Sequence, residues 1–86
     1  MARRADDELE QALDHLDHGA WQAAHEIVQR DEQSQLSCWA HGIVHILEGD
    51  LDNARYWYRR AQRALGEPID VAAELAALRR AMKRTG

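Results

Sequence analysis

The chain has 86 residues, of which 30% are charged, and a net charge of −4. A chain of this length makes one domain that buries only about 60% of its unfolded surface, so its core is modest and leaves little room for a deep catalytic cavity. The acidic balance argues against a nucleic-acid-binding domain. Because no apolar run approaches about 18 residues and no signal sequence is visible, we expect neither a membrane span nor export. One cysteine cannot form an internal disulfide, which favours a cytoplasmic protein.

The first third of the chain predicts two amphipathic helices. The first covers about 6–17, where apolar residues recur at the spacing of one helix face, and it ends at Gly19, a residue type that often closes helices. The second covers about 20–29. The inward positions are Leu9, Ala12, Leu13 and Leu16 in the first helix, and Trp21, Ala24, Ile27 and Val28 in the second. A polar connection then leads to Ser34 or Ser37 as the next N-cap.

The middle of the chain predicts a second pair of helices. The third helix covers about 35–47 and is apolar around most of its circumference, so it should be the most buried element. Gly42 in its middle weakens the helix, and the compensation we expect is the close approach of a bulky neighbour. The fourth helix is capped by Asp50, extends to about residue 65, and turns Trp57 and Tyr58 inward.

The end of the chain predicts a fifth helix over about 68–84, after a stop at Gly66 and with proline in its first turn. Its apolar residues form a narrow stripe of Val71, Leu75, Leu78 and Met82. Such a stripe suits either a cap over Trp57 and Tyr58 within one chain or the seam of a homodimer.

The two helix pairs repeat each other at a spacing of thirty residues. Gly19 aligns with Gly49, and Ala24 aligns with Ala54. We therefore predict an all-α protein of five helices, in which two stacked hairpins, about 6–31 and 35–65, are closed by the helix at 68–84.

The second hairpin resembles a tetratricopeptide repeat, because Gly42, Gly49, Ala54, Tyr58 and Ala61 have the spacing of the small and aromatic positions of that family. The segment N-A-R-Y-W-Y-R-R-A is similar to the second helix of Sel1-like repeats. Through its A-H-E-I and E-G-D-L-D-N-A-R-Y-W-Y-R-R-A segments, the whole chain resembles short bacterial proteins of this type. The resemblance implies a small non-catalytic protein-protein interaction module. It also implies that the first helix of each hairpin lines the side that binds a partner.

A candidate binding surface follows from that register. The residues opposite the core face of the third helix form one stripe, with equivalents on the first helix: Cys38, His41, His45 and Glu48, together with His15 and His18. These histidines could form structural hydrogen bonds, contact a partner or bind a metal. The fifth histidine, His25, lies at the edge of the core, where we expect a structural role.

The alternative function is metal binding. His41 and His45 are four residues apart on one helix and could share Zn²⁺ or another divalent transition metal, with Glu48, Cys38 or His25 as a further ligand. The motif is not that of a zinc protease, because the position after His41 is glycine instead of glutamate. Nothing indicates an oxyanion hole beside Cys38, and we expect no catalytic residue and no other cofactor.

A basic face is predicted on the fourth helix, formed by Arg55, Tyr56, Arg59, Arg60 and Arg63. Arginines interleaved with tyrosine can bind phosphate and stack on bases. However, residues 1–53 contain twelve acidic residues and three arginines, whereas residues 54–86 contain eight basic and three acidic ones. Pairing with the acidic helices, within the chain or in a second copy, therefore explains the arginines more simply than nucleic acid does.

Overall fold

The computed structural model describes residues 4–85, with side chains for residues 7–84. This part of the chain is all-helical and contains no strand, which confirms the predicted fold class. The five helices are α1 (Arg4–Asp17), α2 (Trp21–Val28), α3 (Gln35–Glu48), α4 (Leu51–Arg60) and α5 (Val71–Thr85). Over residues 4–85, none of these helices is long and apolar enough to cross a membrane.

The first helix of each pair ends in the same way. Gly19 has φ 73° and Gly49 has φ 91°, the left-handed conformation that glycine adopts without strain. At the end of α1, the N–H of Ala20 donates to the carbonyl of His15 at 2.9 Å. At the end of α3, the N–H of Asp50 donates to the carbonyl of His45 at the same distance, 2.9 Å. These hydrogen bonds satisfy carbonyl groups that the end of a helix would otherwise leave unpaired.

Two predicted boundaries in the second half of the chain are wrong. The fourth helix ends at Arg60, not near residue 65, because Gln62 adopts a left-handed conformation with φ 57° and the N–H of Arg63 bonds back to the carbonyl of Tyr58 at 3.0 Å. The fifth helix begins at Val71, since Asp70 caps it by accepting a hydrogen bond from the N–H of Ala73 at 3.1 Å.

The third helix is the centre of the molecule, as its apolar circumference predicted. It packs against the other four helices, and every residue from Ser37 to His45 is buried. Gly42 lies directly under the ring of Tyr58, which is the bulky neighbour expected for a glycine in mid-helix. The side chain of Ser34 caps the helix by accepting a hydrogen bond from the N–H of Ser37 at 3.3 Å.

The fifth helix packs against α1 and α3 instead of lying along α4. Its buried side chains are Leu75, Leu78 and Met82. Trp57, which was expected beneath this helix, stacks on His41 instead. α5 covers the side of α3 that faces α1. Within the described residues, α2 and α4 each pack against α3 but not against each other, and the other side of α3 lies between them. The histidines meet there.

Candidate metal centre

Three imidazole rings from two helices converge beside Trp57. His25 lies on α2, and His41 and His45 lie on α3; we call these three residues the histidine cluster. Their ring centroids are 4.9 Å apart for His25 and His41, 5.5 Å for His25 and His45, and 5.2 Å for His41 and His45. One ring nitrogen from each residue lies within 4.8 Å of those of the other two. Three potential ligands therefore share one small volume.

The local sequence explains the convergence. His41 and His45 are one helical turn apart, so they lie on the same face of α3. His25 follows the buried Ala24 in the last turn of α2, and α2 packs against α3. The hydroxyl of Ser37 donates to the carbonyl of Val28 at 3.3 Å and ties the end of α2 to the start of α3. The short connection between the two helices thus holds the imidazoles of both together.

His41 is the most buried member of the cluster, at 3% exposure. Burial, reinforced by the charges of His25, His45 and Arg60, lowers the pKa of His41 to about 3. The ring is therefore neutral at physiological pH, the state required of a metal ligand. Its Nδ1 atom is buried without a hydrogen-bond partner, the one such side-chain atom among the described residues.

Trp57 supports one side of the cluster. Its ring stacks on that of His41 with centroids 3.8 Å apart and an interplanar angle of 8°. The guanidinium of Arg60 lies 5.2 Å from the centroid of Trp57 and donates to the carbonyl of Glu32 at 2.6 Å. The stacked pair limits rotation of the His41 ring, and it places a fluorescent side chain against a potential ligand.

Glu48 was predicted as a metal ligand. In the structure, its carboxylate lies next to Nδ1 of His45. Oε1 of Glu48 lies 2.7 Å from Nδ1 of His45. In a neutral histidine, donation from Nδ1 to a carboxylate leaves Nε2 unprotonated, an arrangement typical of histidines that bind metals. His45 also forms a second group with Glu48 and Asp50, but Asp50 caps α4 by accepting hydrogen bonds from the backbone N–H and the side-chain amide of Asn53. These bonds lower the pKa of Asp50.

The residues of the predicted stripe are partly buried and partly exposed. His15 on α1 and His18 in the turn after it are exposed, but Cys38 and His41 are 2% and 3% exposed and His45 is 9% exposed. The physical reason for the burial is that α2 and α4 flank this face of α3. The thiol of Cys38 lies 3.4 Å from the carbonyl of Glu32, and His18 Nδ1 lies 2.8 Å from the carbonyl of Asp14.

His25 was expected at the edge of the core, with a structural role or as a further metal ligand. The structure places it half-buried within the histidine cluster. Its place beside the inward positions Ala24 and Val28 is the signal that could have identified it. That signal says nothing about which histidines of another helix lie opposite.

The predicted basic face is only partly present. Arg55, Tyr56, Arg59 and Arg60 are exposed on α4, but Arg63 turns towards α5. Its guanidinium lies 4.0 Å from the ring centroid of Trp39 and forms two hydrogen bonds with the Glu74 carboxylate, at 3.0 and 2.8 Å. Arg63 therefore stabilises the packing of α5 and leaves the exposed face to the other four residues.

The comparisons with known proteins give no family for this chain: no protein-family model, curated protein or solved structure matches it significantly. The geometry of the histidine cluster is therefore the strongest guide to function.

Proposed function

We propose that this protein binds a divalent transition metal ion through His25, His41 and His45. The observation that carries the proposal is the Nδ1 atom of His41, which is buried without a hydrogen-bond partner next to two further imidazoles. A buried polar atom without a partner is costly, and native proteins rarely contain one without a reason. Imidazole nitrogen is a preferred ligand of zinc, copper and nickel, and an ion bound at Nδ1 of His41 would satisfy this atom.

The cluster needs only a small contraction to hold such an ion. Zinc lies about 2.0 to 2.1 Å from imidazole nitrogen, so ligands in a tetrahedral site are roughly 3.4 Å from one another. The nitrogens of the cluster already lie within 4.8 Å. His25 is half-buried on the short helix α2, and rotation of its ring supplies the movement most easily. Glu48 orients His45, and Trp57 orients His41.

The test is metal titration of untagged protein after removal of metal with a chelator. We expect one equivalent of Zn²⁺ or Co²⁺ to bind the parent protein, with a change in tryptophan fluorescence because Trp57 stacks on a ligand. His25→Ala and His41→Ala should each weaken binding at least tenfold. His15→Ala is the matched control, because His15 is exposed on α1 away from the cluster. Circular dichroism checks that each variant is folded. If the parent protein and all three variants bind zinc with equal affinity, the histidine cluster is not the site.

A second candidate function is the protein-protein interaction module of tetratricopeptide or Sel1-like type. The matching hydrogen bonds after α1 and α3, thirty residues apart, support it, since a duplicated hairpin would end its first helix in the same way each time. The face of α3 expected to bind a partner is buried between α2 and α4. The available surface is therefore a neighbouring groove of about 370 Å³, lined by Gln35, Leu36, Trp39, Ala61, Gln62, Arg63, Ala64, Ala81 and Arg84.

The partner that this groove fits is an acidic peptide, because Arg84 and two glutamines line it without an acidic side chain, whereas Arg63 is already paired with Glu74. We expect an oligoglutamate peptide, and not an oligolysine peptide, to change the fluorescence of Trp39. Arg84→Glu should reduce this binding. Arg80→Glu, an equal change of charge at an exposed position outside the groove, should have less effect. Equal effects of the two variants would indicate general attraction by the basic end of the chain instead of binding in the groove.

A further inference from the structure

The histidine cluster provides three ligands and not four. Among residues 7–84, His41 and His45 are the only histidine, cysteine or acidic residues that form such a group with His25, with ligand atoms within 4.8 Å of one another. Structural zinc sites are closed by four protein ligands, whereas sites with three protein ligands keep a position for a molecule from solvent. With three protein ligands, a bound ion would therefore keep one coordination position for a molecule from solvent.

The side chains that could close the site are engaged elsewhere. The thiol of Cys38 lies against the carbonyl of Glu32 at 3.4 Å, and the carboxylate of Glu48 lies 2.7 Å from Nδ1 of His45. Asp50 accepts hydrogen bonds from Asn53 at the start of α4. Recruiting any of the three would break a contact that the fold already uses.

The charge of the site favours an anion as the remaining ligand. Three neutral imidazoles leave the double positive charge of the ion uncompensated, and a bound cation dominates the local field. Arg60 adds a further positive charge beside Trp57, whose ring stacks directly on His41. A small anion would reduce both charges at once. His25 is half-buried, so this member of the cluster is itself in contact with solvent.

We propose that the ion held by His25, His41 and His45 keeps one exchangeable position, and that this position binds a small monodentate anion. The proposal rests on the proposed metal-binding function. It assigns to the site a ligand class, small inorganic anions of the size of azide, and it assigns to Arg60 a role in attracting them.

The experiment uses the full chain loaded with Co²⁺, whose visible absorption reports the number and type of its ligands. Azide is the probe. We expect a saturable spectral change with one azide bound per cobalt, while equilibrium dialysis shows that the cobalt stays on the protein. A solution of Co²⁺ and azide without protein supplies the background spectrum.

Two variants test the contribution of charge. Arg60→Gln should weaken azide binding about two- to fivefold, the effect of removing one exposed charge near a charged ligand. Arg59→Gln is the matched control, since it removes the same charge from the neighbouring exposed position. Equal azide affinity in the two variants would overturn the role assigned to Arg60.

The outcomes separate this proposal from the one on which it rests. If cobalt binds with the dependence on His25 and His41 described above and azide leaves the spectrum unchanged, the exchangeable position is disproved and the metal site stands. Release of cobalt on addition of azide would also overturn the exchangeable position. Failure of cobalt to bind the parent protein would overturn both proposals.

Discussion

Gly42 is the residue at which side-chain size decides how α3 and α4 fit together. A Cβ atom at this position would lie 2.6 Å from Cε1 of Tyr58 and 3.3 Å from the carbonyl oxygen of Ala54. The Tyr58 ring cannot easily move away, because the residue is 1% exposed and its hydroxyl donates to Glu74 at 2.8 Å. The glycine is therefore required by packing, although it weakens the helix.

We predict that Gly42→Ala destabilises the protein. The usual cost of overpacking is about 1–3 kcal/mol, and the gain in helix propensity of about 1 kcal/mol offsets part of it, which leaves a net loss of up to about 2 kcal/mol. Gly66→Ala is the control, because a Cβ there meets no atom within 4 Å. Urea unfolding followed by circular dichroism measures both. Equal unfolding midpoints for the two variants would show that Tyr58 adapts to the extra methyl group.

His41 makes the stability of the metal-free protein depend on pH. Its pKa is lowered from 6.5 to about 3, and the groups that face it are His25 from α2, His45 from α3 and Arg60 from α4. Below pH 6.5 the unfolded chain binds a proton at this residue that the folded chain does not. Above pH 6.5, His41 therefore does not reduce the stability of the protein. As the pH falls from 6.5 towards 3, the free energy of unfolding decreases by about 1.4 kcal/mol per pH unit.

The measurement is urea unfolding between pH 7 and pH 5 in the presence of a chelator. His41→Phe keeps an aromatic ring next to Trp57 but does not titrate, and we expect its free energy of unfolding to vary less with pH than that of the parent protein. The comparison concerns slopes, so a general destabilisation of the variant does not affect it. If the free energy of unfolding varies equally with pH in the two proteins, His41 does not control the pH dependence of stability.

At the scale of the elements, one carboxylate of α5 contacts α3, α4 and the loop that follows α4. Glu74 accepts hydrogen bonds from Nε1 of Trp39 at 3.1 Å, from the hydroxyl of Tyr58 at 2.8 Å, and from Arg63. The hydrogen bonds of Arg63, with help from Tyr58 and Trp39, hold the pKa of Glu74 below its usual value. One side chain of α5 thus contacts a residue of α3, a residue of α4 and the loop that follows.

We predict that Glu74→Gln lowers the free energy of unfolding by about 1–3 kcal/mol, because Arg63 loses its charged partner and an amide cannot accept all four hydrogen bonds. The exposed Glu67→Gln is the matched control and should change stability by less than about 0.5 kcal/mol. Chemical denaturation measures the change in the free energy of unfolding. Amide hydrogen exchange shows whether α5 loses protection before the other helices. Retention of full stability by Glu74→Gln would assign the packing of α5 to its apolar residues alone.

The helices themselves were predictable to different degrees. Those with a glycine or serine at their ends were placed within a few residues, because such residues satisfy the unpaired backbone groups at a helix end. The end of α4 was not, since Gln62 adopts there the left-handed conformation for which glycine is the usual signal. The start of α5 was placed at the proline, whereas Asp70 provides the cap.

At the scale of the whole molecule, the uneven charge of the chain is partly compensated within the fold. Arg79 of α5 forms ion pairs with Asp17 and Asp14 of α1, at 2.7 and 3.2 Å, and Arg30 lies 3.6 Å from Glu8. Pairs at the surface contribute little to stability, so their main effect is on how charge is distributed. Arg55 and Arg59 remain exposed on α4, and self-association through them stays a prediction.

The sequence by itself determined the all-α class, the burial of α3 and the need for a bulky neighbour at Gly42, because helix periodicity and residue size act over one or two turns. It also placed His41 and His45 on one face. Only the tertiary structure decided that α2 and α4 flank that face, that α5 packs on α1 and α3, and that His25 completes a cluster of three imidazoles. The physical reason is that the side of a helix that stays open depends on which elements cover it. Packing between residues far apart in the chain decides this, and no local pattern records it.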